Sequence, residues 1–170
     1  MIFRRILGIT MGALALTAPA VSAAGRQPSA QDVNWLETSA SGDRFEIVAG
    51  RLAEQRGTSP AVRRLGARLV RDHSRSLGEL RSVARALGVR VPSAPTPSEV
   101  WEINVVRSFT GHGFDVRYAS LEVKDHQQDI SETSFEAHRG QDPQVMKLAR
   151  QDLPMLRTHL RLSMAARDAL

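Results

Sequence analysis

Residues 60–87 of the chain read PAVRRLGARLVRDHSRSLGELRSVARAL, and this stretch decides the fold class. Its apolar residues recur every three or four positions, the spacing that lines one face of an α-helix. They are Val62, Leu65, Leu69, Val70, Leu77, Leu80, Ala84 and Leu87. Ser59 and Pro60 favour the N-cap and the first position of a helix, and Gly88 favours its end. The sequence therefore predicts an amphipathic helix here, with its apolar face packed against other helices.

Three further stretches carry the same helical period and are bounded by residues that favour helix ends. The four predicted long helices cover about residues 30–56, 60–87, 114–138 and 142–167. A short helix is predicted from Ser98 to Phe109, and Gly111 and Gly113 are expected to break the chain after it. Pro154 lies inside the last helix, where we expect a kink rather than an end because the apolar period continues beyond it.

The connections between the predicted helices indicate the topology. Only a few residues join the first helix to the second and the third to the fourth, so each pair should be antiparallel neighbours. The connection between the second and third helices, residues 88–113, is long enough to run the length of a helix. We therefore expect an all-α fold, a ferritin-like four-helix bundle with one long crossover between the second and third helices. A plain bundle with a long loop is the alternative.

The N-terminal residues predict export. Two arginines precede an apolar run from Ile6 to Thr17, and Val21-Ser22-Ala23 fits a cleavage site with small residues. This is the layout of a secretory signal peptide, and the apolar run is short for a membrane span, which needs about 20 residues. We expect residues 1–23 to be a signal peptide and residues 24–170 to form the bundle domain in the periplasm. An uncleaved N-terminal anchor is the alternative.

The charge pattern limits the partners. The chain has a formal net charge of +5, and cleavage after Ala23 would remove two arginines and leave +3. Such a mild, dispersed charge argues against a nucleic-acid partner, because nucleic-acid-binding proteins concentrate basic residues on one face. No stretch beyond the signal peptide is apolar enough for stable membrane insertion. Arginines flank the apolar face of residues 60–87, so contact with an envelope polymer or anionic lipid is a possible interaction. A homo-oligomer is a further alternative.

One acidic residue and three histidines lie near the middles of the four long predicted helices. Glu46, His73, His126 and His159 each belong to a different helix. Middle positions stay level with one another whichever way the helices run. Imidazoles and carboxylates are ligands that suit Fe, Zn, Cu, Ni or Mn, and bundles build metal sites from inward side chains of this kind. The sequence therefore predicts that these four residues are the ligands of a mid-bundle metal site.

Further polar residues share helical faces with these candidate ligands. Asp115, Tyr118 and Glu122 are spaced three and four apart and lead to His126 on one face of the third long helix. Asp72 directly precedes the histidine of the second helix. We expect Asp72, Asp115, Tyr118 and Glu122 to orient the imidazoles by hydrogen bonding.

A metal-free polar layer is the competing interpretation. In it, His73 pairs with Asp115 or Tyr118, and Glu46 pairs with one of the other two histidines. Such a hydrogen-bonded network fixes the register of helices without any ligand. His112 and His138 fall at loop or helix-end positions and are expected to face solvent.

These candidates lead to three functional hypotheses. The first is metal storage, sensing or stress protection at the mid-bundle site. The second is a metal-free envelope interaction module, and the third is a metal-dependent oxidase. The Glu-x-x-His pair that ferritin-like di-iron sites use does not occur in the chain, which counts against the oxidase.

Several short pieces of the sequence, spread from Asp32 to about Met164, match one known family. They are Phe45-Glu46 with Gly50 and Leu52-Ala53; Val70-Arg71-Asp72-His73; Gly88 with Val91-Pro92; Gly113-Phe114-Asp115 with Tyr118 and His126; and Asp142, Leu153-Pro154 and His159. In these pieces the chain resembles exported bacterial ferritin-like domains known as a domain of unknown function, whose members often carry an outer-membrane label. The resemblance implies a ferritin-like four-helix bundle and an envelope location, and it implies no established reaction.

Overall fold

A computed structural model describes residues 27–170, whose regular secondary structure is entirely helical. The helices are α1 (Ala30–Arg56), α2 (Pro60–Ala86), α3 (Pro97–Arg107), α4 (Gly111–Arg139) and α5 (Pro143–Asp168). The predicted helix ends lie close to these bounds, and the largest difference is the start of α4. None of the helices in this part of the chain is long and apolar enough to cross a membrane. The predicted signal peptide, residues 1–23, lies outside the described residues.

Local sequence sets the helix ends. The Ser29 side chain accepts a hydrogen bond from the backbone N–H of Asp32, whose carboxylate accepts one from the backbone of Ser29, forming a capping box. Ser59 and Asp142 cap α2 and α5, and each is followed by a proline in the first turn. Pro154 lies within α5, which continues through it.

The chain breaks before Gly111, as expected, but the expected break at Gly113 was wrong. Helix α4 begins at Gly111, whose φ of 57° suits a glycine, and it continues through Gly113. A glycine within a helix costs only about 1 kcal/mol. Burial of Phe114 and Tyr118, which are both fully buried, outweighs that cost.

The helices form two antiparallel hairpins, α1 with α2 and α4 with α5. Helix α1 also packs against α4, and α2 packs against α5. The chain between α2 and α4 runs from one end of the bundle to the other, and its short helix α3 lies against α1 and α4. The predicted ferritin-like four-helix bundle with one long crossover is therefore confirmed.

The apolar core is divided into two clusters, one at each end of the bundle. The first apolar cluster, where α1 ends and α2 begins, includes Leu52, Ala53, Val62, Leu65, Leu69, Ile103, Val106, Phe114, Tyr118 and Ala166. The second apolar cluster, at the opposite end, includes Trp35, Leu36, Ala40, Leu77, Leu80, Ala84, Ala137, Val145, Leu148 and Leu153. Buried polar side chains occupy the middle of the bundle between them.

An aspartate from each hairpin binds the turn of the other hairpin. Asp115, in the first turns of α4, accepts hydrogen bonds from the backbone N–H groups of Thr58 (3.0 Å) and Ser59 (2.8 Å). Asp32, in the first turn of α1, accepts one from Gln141 N (2.8 Å) in the α4–α5 turn. Although burial opposes it, the donated hydrogen bonds lower the pKa of Asp32 to about 2. These contacts fix how far one hairpin can slide along the other.

Two glycines allow α1 and α2 to approach closely. A Cβ atom on Gly66 would lie 2.5 Å from the carbonyl oxygen of Gly50, and a Cβ on Gly50 would lie 2.8 Å from that of Gly66. Any side chain at either position would therefore push the two helices apart. Gly78, also in α2, has nothing within 4 Å of the position a Cβ would take.

We expect Gly66→Ala to lower the free energy of unfolding by about 1–3 kcal/mol, because the new methyl group overpacks the α1–α2 contact. Gly78→Ala is the matched control and should raise it by up to about 1 kcal/mol, through helix propensity alone. Urea unfolding followed by circular dichroism measures both. Equal effects of the two substitutions would contradict the close approach.

Candidate metal centre

Three buried histidines from three helices meet between the two apolar clusters. His73 of α2 is 2% exposed, and His126 of α4 and His159 of α5 are fully buried. The distances between ring centroids are 5.7 Å from His73 to His126, 5.1 Å from His73 to His159 and 5.3 Å from His126 to His159. One ring nitrogen from each lies within 4.8 Å of one from both others. The three imidazoles therefore form a compact triangle, called the histidine triad below.

An oxygen atom of the protein holds one nitrogen of each imidazole. His73 Nδ1 lies 2.7 Å from Asp43 Oδ1 on α1, and His159 Nε2 lies 3.0 Å from Asp72 Oδ2 on α2. His126 Nδ1 donates to the backbone carbonyl of Glu122, one turn earlier in α4, at 2.9 Å. These contacts fix the rotation of each ring. Two of the three hydrogen bonds also join different helices.

The second nitrogen of each imidazole is buried and unpaired. His73 Nε2, His126 Nε2 and His159 Nδ1 have no hydrogen-bond partner within residues 27–170. Buried polar atoms in proteins nearly always have one. An imidazole with one nitrogen bound to a carboxylate or carbonyl and the other free is the arrangement of a metal-ligating histidine.

Burial keeps at least two of these imidazoles neutral. Burial lowers the pKa of His126 well below its usual value, and the nearby His73 and His159 add to this shift. Burial, with His73 beside it, lowers the pKa of His159 to about 4, although the hydrogen bond with Asp72 opposes the shift. A metal binds the neutral imidazole, so neither residue would need to release a proton near neutral pH.

Three carboxyl groups lie on the His126 side of the triad. Glu46 Oε1 is 3.8 Å and Glu122 Oε2 is 3.7 Å from His126 Nδ1. Glu46, Asp125 and His126 offer ligand atoms that all lie within 4.8 Å of one another. Burial raises the pKa of Glu122 to about 8, and burial with repulsion from Glu122 and Asp125 raises the pKa of Glu46 well above its usual value. We call Glu46, Glu122 and Asp125 the carboxyl cluster.

The predicted ligands thus fall into two adjoining groups. The three histidines meet in the triad, whereas Glu46 lies beside His126 and Asp125 and does not join the other two imidazoles. Asp72 does contact an imidazole, but it is that of His159 rather than that of its sequence neighbour. Glu122 holds His126 through its backbone carbonyl.

The proposed pairing of His73 with Asp115 or Tyr118 was wrong. Asp115 lies in the first turns of α4, near the end of the bundle, where it binds the α1–α2 turn. Tyr118 lies in the first apolar cluster and stacks on Phe114, with ring centroids 6.1 Å apart. Burial, together with the charges of Glu122 and Glu46, raises the pKa of Tyr118 well above its usual value. Neither residue is a hydrogen-bond partner of a triad histidine in the described structure.

Sequence reasoning missed Asp43 and Asp125. Asp43 lies three residues before Glu46, and Asp125 lies three residues after Glu122, so each shares a helical face with a residue that was predicted. That three-residue spacing could have identified both aspartates as facing the interior. It could not have identified the residue of a neighbouring helix that each one contacts.

Comparison with known proteins indicates the family and the fold. A family model described as a domain of unknown function (DUF4142) matches residues 17–165. The crystal structure of a DUF305 fragment from Deinococcus radiodurans is similar, with a TM-score of 0.70 and 15% sequence identity over 85% of this chain and 100% of that chain. At this identity the likeness shows the fold alone. Comparison with curated proteins gives no match.

The hydrogen bonds predict the tautomer of each triad imidazole. His73 and His126 should carry their proton on Nδ1, and His159 should carry it on Nε2, because these atoms face the acceptors. His159 should stay neutral until the pH falls to about 4, whereas an unperturbed imidazole takes up its proton near pH 6.5.

Long-range proton–nitrogen NMR spectra of metal-free protein, recorded across a pH titration, distinguish the tautomers and report protonation. The same tautomer at all three residues, or protonation of His159 near pH 6.5, would contradict the assigned geometry.

Proposed function

The chain belongs to the DUF4142 family of domains of unknown function, and we propose that it binds one transition-metal ion through His73, His126 and His159. The observation that carries this proposal is the set of unpaired nitrogens. Each imidazole is held at one nitrogen by a protein oxygen, and its other nitrogen is buried without a partner among the described residues. A bound cation would accept all three lone pairs at once.

The donor set narrows the choice of metal. Imidazole nitrogen suits Zn, Cu, Fe and Ni, whereas Mn prefers oxygen donors. Among the predicted Fe, Zn, Cu, Ni and Mn, the triad therefore favours the first four. Three protein ligands leave at least one coordination position for water or another small ligand.

Two nearby carboxylates would balance the charge of the ion. Asp43 and Asp72 each contact a triad imidazole at the nitrogen opposite the unpaired one. A carboxylate in this position orients the ring and strengthens it as a donor. Asp72 is also paired with Arg68, so part of its charge is already compensated.

The burial of the triad favours sensing or protection over storage. One triad per chain holds one ion, which is a small capacity. Its imidazoles are at most 2% exposed, so a bound ion would be shielded from solvent and from the solutes with which a redox metal reacts. We propose that the protein sequesters a transition-metal ion in this way.

We propose the bacterial periplasm as its compartment, because residues 1–23 have the layout of a signal peptide. When the full chain is expressed in a Gram-negative host, protein from the periplasmic fraction should have the intact mass of residues 24–170. An uncut chain that remains with the membrane fraction would contradict cleavage.

The metal site is tested with periplasmic protein purified without chelator or affinity tag. Elemental analysis should find about one transition-metal ion per chain, and added Zn, Cu, Ni or Fe should raise the melting temperature of the metal-free protein. The added stability should be about 2.7 kcal/mol when free metal exceeds its Kd about a hundred-fold. His73→Ala and His126→Ala should abolish binding, because each removes one of three ligands.

His138→Ala is the matched control. His138 is exposed, as predicted, and its Nδ1 bonds the carbonyl of Ser134 one turn earlier, as His126 does with Glu122. This variant should bind metal like the wild type, and circular dichroism should show that all variants stay helical. Protein that purifies without metal, with no shift on addition of any of the four metals, would make the polar layer purely structural.

A further inference from the structure

A cavity of about 280 Å³ lies between α1, α3 and α4 on the carboxyl-cluster side of the triad. Its lining includes exposed residues such as Gln128 and Glu132, so the cavity reaches the surface. Asp125 also lines the cavity and is only partly exposed. The cavity therefore connects solvent with the edge of the carboxyl cluster.

The lining of this cavity is acidic. Its charged residues are Glu99, Glu102, Lys124, Asp125, Asp129 and Glu132. The one lysine is paired with Glu102 at 3.0 Å, so it neutralises little beyond that partner. The lining thus has five acidic residues and one basic residue, whereas the whole chain has a net charge of +5. Burial raises the pKa of Asp125 and Asp129, so the negative charge of the lining is smaller than this count. Such a cleft attracts cations and raises their local concentration.

Asp125 connects the cavity to the interior. A carboxylate oxygen of Asp125 lies within 4.8 Å of ligand atoms from both Glu46 and His126. Glu46 is fully buried and lies beside the carboxyl groups of Glu122 and Asp125. His126 belongs to this group and also to the histidine triad. Carboxyl groups therefore extend from the cavity to the edge of the triad.

We propose that this acidic cavity is the loading site for the divalent cation that the histidine triad binds, and that Asp125 passes the ion inward to Glu46, beside the triad. The inference rests on the metal site proposed above. On this route, carboxyl groups replace hydration water of the ion one step at a time, and any proton held by a buried carboxyl group leaves to solvent as the ion arrives. The imidazoles of the triad hold the ion at the end.

A second cavity supplies a control. It measures about 30 Å³, enough for about one water molecule, and its lining includes Asp43, His73 and Asp152. Asp152 lines this cavity but not the acidic one. Asp152→Asn removes a carboxylate near the triad without altering the proposed route.

The test follows Co²⁺ binding to the metal-free protein by stopped-flow visible absorption. Asp125→Asn should lower the association rate roughly ten-fold, while the final absorption per chain stays at the wild-type level. Asp152→Asn should load at the wild-type rate. A wild-type rate for Asp125→Asn, or a slower rate for Asp152→Asn alone, would overturn the loading site and leave the metal site standing.

The salt dependence of the wild-type rate tests the same idea without any substitution. Because the protein carries net positive charge, added salt should speed cation binding if the overall charge governs the approach. It should slow binding if the acidic cavity governs it, and slower binding is the expected result. A rate that rises with salt would overturn the proposal, and a wild-type protein that binds no cobalt would overturn the metal site with it.

Discussion

A buried imidazole has two nitrogens to satisfy, and this constraint shapes the middle of the bundle. Leaving either nitrogen without a partner costs stability, because water no longer reaches it. The oxygens of Asp43, Asp72 and the Glu122 backbone each satisfy one nitrogen of one histidine. The bonds from Asp43 and Asp72 form only when α1, α2 and α5 are held at one relative height and rotation, whereas the Glu122 carbonyl lies in the same helix as its histidine. The rest of the structure maintains that alignment.

The ends of the bundle hold this alignment by contacts that repeat across the two hairpins. Asp32 and Asp115, each near the start of the first helix of its hairpin, bind the turn of the other hairpin. Gly50 and Gly66 set the close contact of α1 with α2. The two apolar clusters enclose the polar layer from above and below. A polar layer is tolerated at mid-height because the apolar burial at both ends offsets its cost.

The sequence predicted what depends on local chemistry and helical period. Caps such as Ser59 and Asp142 located the helix ends, and the long segment between the second and third helices indicated the crossover. The helical period and the mid-helix positions of the three histidines correctly predicted that they meet. The partners of these residues could not be predicted, because they depend on how far each helix is shifted and rotated against the next. The sequence therefore offered Asp115 as a partner of His73, whereas the structure has Asp43 in that place.

The unpaired nitrogens are the feature on which a structural polar layer and the proposed metal site differ. A layer that serves only to fix helix register gains most when every buried donor and acceptor is paired. Here one nitrogen of each triad histidine lacks a partner among residues 27–170, and the three imidazoles lie close together. An arrangement that forgoes these hydrogen bonds lowers the stability of the empty fold. A cation that binds the folded state would offset this loss of stability. The unpaired nitrogens therefore favour the proposed metal site over a purely structural network.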